Sequence, residues 1–356
     1  MTGGSLKKML RNCPPCYRLA RRLYPFATLL AALPRGRRGS WDHLRSSFSL
    51  LRGSNCVAGR PVSLTLEPTN VCNLRCPVCE TGSGELGRSP RAMTLAEFRA
   101  ILGKVGKHTN SLLFYYMGEP FLNPHAYQMI RLAKDAGIPW VNSCTNGELV
   151  DPGQLVECGL DEVSFQIGGM SAGTHGIYRV NGNLEHALEN LRETLRLRRE
   201  RKRRLRVNCG MILMRHNEHE AELFKKSMAD LGVDEATVVD PCVRTVAQGE
   251  SFLPSDRSHW YYDPEAFRSG TLRPRIPHGN RCDWLYYSLT VLANGDVVPC
   301  CRDPRGSRAM GNLLEQELAE IWNSSQFRAF RRQVLTAQSE LELCRLCSGY
   351  PAAALR

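Results

Sequence analysis

A parallel α/β architecture is what the sequence predicts, on two observations. From residue 61 onward, short strand-like runs alternate with helix-like stretches, and Gly137, Gly159 and Gly232 stand where helices should stop. Six strands joined by crossover helices build a parallel sheet whose working residues gather at the C-terminal ends of the strands. Pattern alone does not separate an open sheet from a barrel.

Taken in order, the chain opens with a basic leader, residues 1–60. It holds twelve Lys and Arg against the single acid Asp42, a net of +11 out of +12 for all 356 residues. The basicity therefore belongs to the leader and gives the body no specific nucleic-acid signature. Leu6, Leu10, Leu19, Leu23, Phe26, Leu29, Leu30 and Leu33 interleave with Lys7, Lys8, Arg11, Arg18, Arg21 and Arg22. That is the composition of a basic amphipathic helix, suited to peripheral contact with an anionic membrane or to docking on the body. Leu29–Leu33 is too short a run to span a bilayer, and no small-residue cleavage site follows it. The expected location is cytoplasmic, with the inner face of the membrane open to the leader. Cys13-Pro-Pro-Cys16 reads as an isolated pair.

The body, residues 61–249, offers strands at Val62–Leu66, Leu112–Met117, Pro139–Cys144, Glu162–Ile167, Val207–Met214 and Ala236–Val239. Helices are expected at Leu95–Val105, Tyr127–Ala136, Pro152–Cys158, Leu184–Arg199 and Glu218–Leu231. The basic run Arg198–Arg206 reads as a solvated helix end. Residues 250–281, rich in Pro, Ser, Arg and aromatics, read as a linker or lid. In the tail, 282–356, Leu289–Leu292, a turn at Asn294-Gly295-Asp296 and Val297–Val298 make a hairpin, followed by helices at Leu313–Trp322 and Phe327–Leu335.

Fifteen cysteines are too few for a disulfide scaffold and too clustered for chance. Cys72, Cys76 and Cys79 lie within eight residues just after the first strand, and Cys344 and Cys347 close the tail. Three thiolates in a short loop can hold three irons of a 4Fe–4S cube and leave the fourth iron open to a substrate or cofactor. Zinc normally wants four ligands, and no further His or Cys adjoins this loop.

Cys-x3-Cys-x2-Cys after a first strand resembles the radical S-adenosylmethionine superfamily, whose core is a partial (β/α)6 TIM-type barrel. Met117-Gly118-Glu119-Pro120 resembles the family's Gly-Gly-Glu motif at the methionyl amine, and Thr145-Asn146-Gly147 a recurrent segment after the third strand. Ser164 and Arg179 match positions that in relatives contact ribose and carboxylate. The resemblance thus implies Gly118, Glu119, Asn146, Ser164 and Arg179 as cofactor contacts, and Cys72, Cys76 and Cys79 as ligands of a catalytic 4Fe–4S cluster. Met117 departs from the motif's first Gly, Val78 from an aromatic before the third Cys, and Gln166 from a frequent Asp. Gln166 is then a candidate to face substrate.

Cys282, twelve residues, Gly295, four residues and Cys300 are similar to the opening of a SPASM domain, as are Gly311-Asn312 and Ile321-Trp322-Asn323-Ser324. Only Cys344 and Cys347 follow, which resembles the shortened twitch form found in the inosamine dehydrogenase of butirosin biosynthesis. The implied ligands of one auxiliary 4Fe–4S cluster are Cys282, Cys300, Cys344 and Cys347, with zinc at the same thiols as the alternative and Cys301 a bystander.

The family's chemistry is reductive cleavage of S-adenosylmethionine to a 5′-deoxyadenosyl radical that takes hydrogen from a substrate carbon. Reduced flavodoxin or ferredoxin is the implied electron donor. An auxiliary cluster suits oxidation by accepting the second electron, whereas epimerisation needs a thiol donor. Cys144, Cys209 and Cys242 are the candidate donors, each also readable as a small core residue. Trp260, Tyr261, Tyr262, Trp284, Tyr286 and Tyr287 are either pocket or packing, and His175, His216 and His219 lie near loops after strands four and five. The expected function is oxidation or rearrangement of a small polar metabolite, sugar- or cyclitol-like, by a dehydrogenase- or epimerase-type enzyme. Maturation of a peptide, modification of a membrane lipid or lipid-linked sugar, and a non-enzymatic electron carrier are the alternatives.

Overall fold

The computed structural model describes residues 39–347, together with Leu19, Leu23 and Gly349. Cys13, Cys16 and the rest of the leader before residue 39 lie outside the described residues.

Six parallel strands form in sequence order: β1 (Ser63–Leu66), β2 (Ser111–Leu113), β3 (Trp140–Thr145), β4 (Glu162–Ile167), β5 (Arg206–Ile212) and β6 (Glu235–Val239). The sheet does not stop at β1. Strand β7 (Ser288–Val291) pairs parallel to it, Ser63 opposite Ser288 and Thr65 opposite Thr290. Antiparallel β8 (Asp296–Val298) and the two-residue β9 (Gly311–Asn312) follow, so the nine-stranded order is β6-β5-β4-β3-β2-β1-β7-β8-β9. The expected hairpin is present, and it extends the body's own sheet.

The helices follow local chemistry. Thr94 caps α2 (Leu95–Val105), its hydroxyl accepting from Glu97 N while Glu97 accepts from Thr94 N, a reciprocal capping box. Ahead of it, α1 (Ser40–Leu51) is a helix within the leader. After it come α3 (Ala126–Asp135), α4 (Pro152–Glu157), α5 (Ala172–Tyr178), α6 (Leu184–Glu200) and α7 (Ala221–Leu231). Asp151 and Asn183 cap α4 and α6 through their side chains. Val163, Phe165 and Ile167 of β4 face this helical layer, all buried, whereas Ser164 and Gln166 point to the opposite, half-open face.

Two expected boundaries move for physical reasons. The second strand ends at Leu113, because after Phe114, whose N still donates to Asn142 O, residues Tyr115–Met117 leave the sheet to carry the Gly118 turn; Gly118 has φ +77°. The helix expected from Leu313 begins only at Leu318, because Leu313 and Leu314 close a turn on Gly295 and Asn312. The segment 250–281 is packed: Leu253 and Tyr262 are fully buried, and Trp260 Nε1 donates to Pro254 O at 2.6 Å. Part of the basic run is paired locally. Arg198 pairs with Asp234, Arg201 and Arg203 with Glu157, and Arg206 with Glu162 and Glu235.

Arg331, on helix 325–337, is wholly buried beneath the tail. Its Nε donates to Leu285 O (3.0 Å) and its Nη1 to Asn323 Oδ1 (3.1 Å), with the guanidinium 4.4 Å from the rings of both Trp322 and Phe327. Burial pulls its pKa down to about 9. Arg331→Ala strands two acceptors and empties a cavity, an expected loss of about 3 kcal/mol or more. A shift of the urea midpoint checks it, and Arg331→Lys, lacking the planar fork, should rescue little.

Candidate functional site

The site grows from the C-terminal ends of β1 to β6. After β1, Glu67 is fully buried and paired with both terminal nitrogens of Arg88 at 2.6 and 2.7 Å, while Arg88 Nε donates to Pro304 O (2.7 Å) and Ala293 N to Glu67 (2.9 Å). This buried pair ties the segment after the cysteine loop to the tail. Cys72, Cys76 and Cys79 follow Glu67 in a loop folded hard on itself: a side chain at Gly82 would meet the backbone N of Cys76 at 2.4 Å. Leu74 N donates to Cys72 Sγ (3.4 Å), and Arg179 Nη1 to Cys76 Sγ (3.6 Å).

Burial pushes the Cys72 thiol up to about 12, aided by Glu119, Cys76 and Cys79, and it pushes Cys76 up as well against the pull of Arg179. Cys72 and Cys76 resist ionisation, and crowded thiols of this kind are a donor set that cationic metal charge among them would ionise. Among the described residues, no three His, Cys, Asp or Glu side chains are placed to hold a single metal ion. Three thiols in one short loop could hold three irons of a 4Fe–4S unit.

Gly118 and Glu119 are locked to this loop. Glu119 N donates to Val71 O (2.8 Å), and a side chain at Gly118 would lie 2.5 Å from Thr69 O and 2.7 Å from Val71 O. The buried Glu119 carboxylate accepts from Thr145 Oγ1 (2.7 Å), Asn146 N (2.8 Å) and Phe121 N (3.4 Å). Burial nonetheless raises its pKa to about 7. The Asn146 side chain is engaged elsewhere: its Nδ2 donates to Asn73 Oδ1 (2.8 Å) and its Oδ1 accepts from Glu148 N (3.0 Å), while Asn73 donates to Glu148 (3.1 Å). Asn146 therefore positions the cysteine loop through its side chain, a role the sequence did not signal.

Arg179 is half-buried, with its Nε buried and unpartnered, a strong donor free for an acceptor not supplied by the protein. Ser164 Oγ accepts from Gln166 Nε2 at 2.7 Å. Gly210 makes room for Gln166, since a side chain there would meet that amide at 2.6 Å. Cys144 sits beside Ser164 in register, on the same half-open face. Cys209 does not. It pairs with Phe165 and is wholly buried in the hydrophobic core, which removes it as a donor into the site; the alternation of β5 points it to the helices. His175 is also buried, its pKa lowered to about 4, with Nδ1 accepting from Gly168 N.

Cys242, after β6, lies between two arginines, 3.3 Å from Arg244 Nη1 and 3.5 Å from Arg302 Nη1, with Tyr262 OH also at 3.5 Å. Burial pushes its thiol up, but Arg302, Arg244 and Tyr262 outweigh that and hold it below the usual range. Arg244 also pairs with Glu80 (2.9 Å), next to Cys79, and Arg302 donates to Leu346 O (3.1 Å) beside Cys347. This bridge between the two cysteine sets was not legible in the sequence beyond Cys242 itself. In the tail, burial first and neighbouring thiols second raise the pKa of Cys282, Cys300 and Cys344, and Cys347 is among the neighbours of all three, which places the four together. Cys301 joins them, with Cys347 its strongest charged neighbour. Tyr116, whose buried hydroxyl has no partner, faces this group electrostatically. A cavity of about 810 Å³ between α6 and α7 includes none of these cysteines.

Residues 66–228 match the family model of the radical SAM superfamily, and residues 282–348 match that of the SPASM iron–sulfur cluster-binding domain. The chain belongs to the radical SAM superfamily. Its SPASM domain follows the radical SAM core on the same sheet, and the two bring S-adenosylmethionine and iron–sulfur clusters as cofactors. Among curated relatives, the chain is similar to the PqqA peptide cyclase of Bradyrhizobium diazoefficiens, 25% identical over 81% of this chain and 79% of that protein. A shorter match, 34% identical over 17% of this chain and 24% of the relative, is to the S-adenosyl-L-methionine-dependent 2-deoxy-scyllo-inosamine dehydrogenase of Niallia circulans. In fold it resembles Streptococcus suis SuiB bound to S-adenosylmethionine, with a TM-score of 0.59 at 13% identity over 94% of this chain and 84% of that one.

Proposed function

We propose that this radical SAM protein abstracts hydrogen from a carbon of a small, polar, anionic substrate and passes the second electron to an auxiliary cluster, completing an oxidation. The observation that carries the reading is the pair Arg244 and Arg302, both half-buried, which meet at Cys242 and reach Glu80 beside Cys79 and Leu346 beside Cys347. Two guanidinium groups converging on one thiol favour a carboxylate or phosphate over an apolar ligand.

In this reading Cys72, Cys76 and Cys79 hold the catalytic 4Fe–4S cluster, and Cys282, Cys300, Cys344 and Cys347 the auxiliary one. The bound cofactor supplies the radical, as in the rest of the superfamily. The chain's own part is orientation. Glu119 receives the amine of the methionyl group, Arg179 supplies its free Nε to the carboxylate, and Ser164 lies where the ribose is expected. Gly118 lets the backbone approach closely. Cys242 is engaged by Arg244, Arg302 and Tyr262, and Cys144, pushed up to about 12 by burial, is the thiol on the face of Ser164. The electron donor is a reduced flavodoxin or ferredoxin.

A peptide substrate is the second reading, supported by the likeness to a PqqA peptide cyclase over four fifths of both chains. Iron and sulfide analysis after anaerobic reconstitution tests the shared part: about eight of each per chain are expected for two 4Fe–4S clusters, and about four would remove the auxiliary acceptor and the oxidation with it. Substrate class is tested by Arg244→Met and Arg302→Met. The small-anion reading expects 5′-deoxyadenosine formation with dithionite to persist while turnover of a carboxylate- or phosphate-bearing substrate is lost.

The adjacent cysteines make a separate prediction. Cys300→Ala should lower iron from about eight to about four per chain, whereas Cys301→Ala should leave it unchanged. The reverse pattern would make Cys301 the ligand.

A further inference from the structure

Helix α1 is inside out by the usual rule for a surface helix. Its docked face is polar: His43, Ser46, Ser47 and Ser49 are buried with Leu50, and Ser47 Oγ meets Tyr287 OH at 2.8 Å. Its outer face is apolar. Trp41 is 75% exposed, Phe48 51%, Leu51 49% and Leu44 42%, and these four occupy about 80° of the helix circumference. Exposed Arg45 and Arg52 flank the stripe, with the Arg52 guanidinium 3.9 Å over the Phe48 ring. Leu19 and Leu23, four apart and helical, are likewise more than half exposed, in a sequence bearing Arg18, Arg21 and Arg22.

We infer that this face of α1 lies in the interface of an anionic lipid bilayer, with the active-site mouth turned away from it. Charge selects the occupant. Residues 1–60 carry twelve cations and one acid, which oppose a second copy of the same surface and complement an anionic leaflet. Trp and Phe beside Arg are also the side chains that settle at the headgroup level.

The orientation follows from where α1 is docked. Asp42 accepts from Arg60 N (3.0 Å), Gly39 approaches His108 O and Val62, and Tyr287 precedes Ser288. All of these lie at the N-terminal ends of β1, β2 and β7, whereas Cys72, Glu119 and Asn146 lie beyond the C-terminal ends. The sheet thus separates the membrane face from the mouth. The substrate arrives from the aqueous side, which argues against drawing a lipid substrate from the same bilayer. This orientation rests on the site proposed above; binding to the bilayer does not.

Flotation of the full chain with phosphatidylcholine vesicles, with and without phosphatidylglycerol, tests the proposal. Binding should be about tenfold or more tighter to the anionic vesicles, and Trp41→Glu/Phe48→Glu should remove at least that much. Both side chains are exposed, so iron content should be unchanged. Brominated acyl chains should quench a tryptophan that Trp41→Phe removes, a readout independent of the double variant. Equal binding by the double variant would overturn the proposal, as would a lipid-free dimer that the double variant dissolves. A loss of S-adenosylmethionine binding on vesicles, with vesicle binding intact, would overturn the orientation alone.

Discussion

Replacing Cys72, Cys76 and Cys79 together by alanine is expected to abolish 5′-deoxyadenosine formation while halving the iron, from about eight to about four per chain. The separation of the two sets makes the result specific. The loop thiols stand with Glu119 and Arg179 at the strand ends, whereas the tail thiols influence chiefly one another. Removing the first set should leave the second able to fill, so the variant should keep the visible absorption of an iron–sulfur protein. Residual cofactor cleavage in the triple variant would show that the loop does not hold the catalytic cluster. Loss of all iron would show that the sets are not independent.

Glu119→Gln is expected to weaken S-adenosylmethionine binding by about 10- to 100-fold, the value of a buried hydrogen bond to a charged group. The pH dependence gives a sharper test. With its pKa raised by burial to about 7, the carboxylate loses its charge as pH falls below that value. Affinity of the wild type for an amine should then fall with falling pH, by up to about tenfold per unit, while Glu119→Gln stays flat. Stability without the cofactor moves the other way. A folded-state pKa above the unfolded value means stability is fullest below about 4.5 and is lost as pH rises towards 7, by about 1.4 kcal/mol per unit. Isothermal titration and urea denaturation across pH 5 to 8 would measure both slopes, and parallel slopes in wild type and variant would remove Glu119 from the amine site.

The buried Glu67–Arg88 pair and the Arg244–Cys242–Arg302 bridge show how the two domains depend on each other. Arg88 follows the cysteine loop yet donates to Pro304, and Arg302 follows Cys300 yet reaches Cys242 of the core. Neither domain completes the mouth alone.

Local chemistry was sufficient for much of this. Strand and helix order, the glycine stops, the hairpin turn at Asn294-Gly295 and the two cysteine sets are short-range features. Each is decided by side-chain period, backbone freedom or spacing within a few residues. Position in the fold is long-range, and there the sequence alone was silent. Cys144 and Cys209 both read as strand cysteines, but pleat and sheet curvature turn one to the site and the other into the core. Asn146 read as a cofactor contact, and the hold of its side chain on Asn73 had no signal in the sequence. The amphipathic reading of the leader rested on Leu6 to Leu33, which apart from Leu19 and Leu23 lies outside the described residues; in α1, which that reading did not include, packing of Ser47 on Tyr287 decided that the apolar side faces out. Pairing of β7 with β1 spans more than 200 residues, and only that tertiary contact brings the second cysteine set to the mouth of the first.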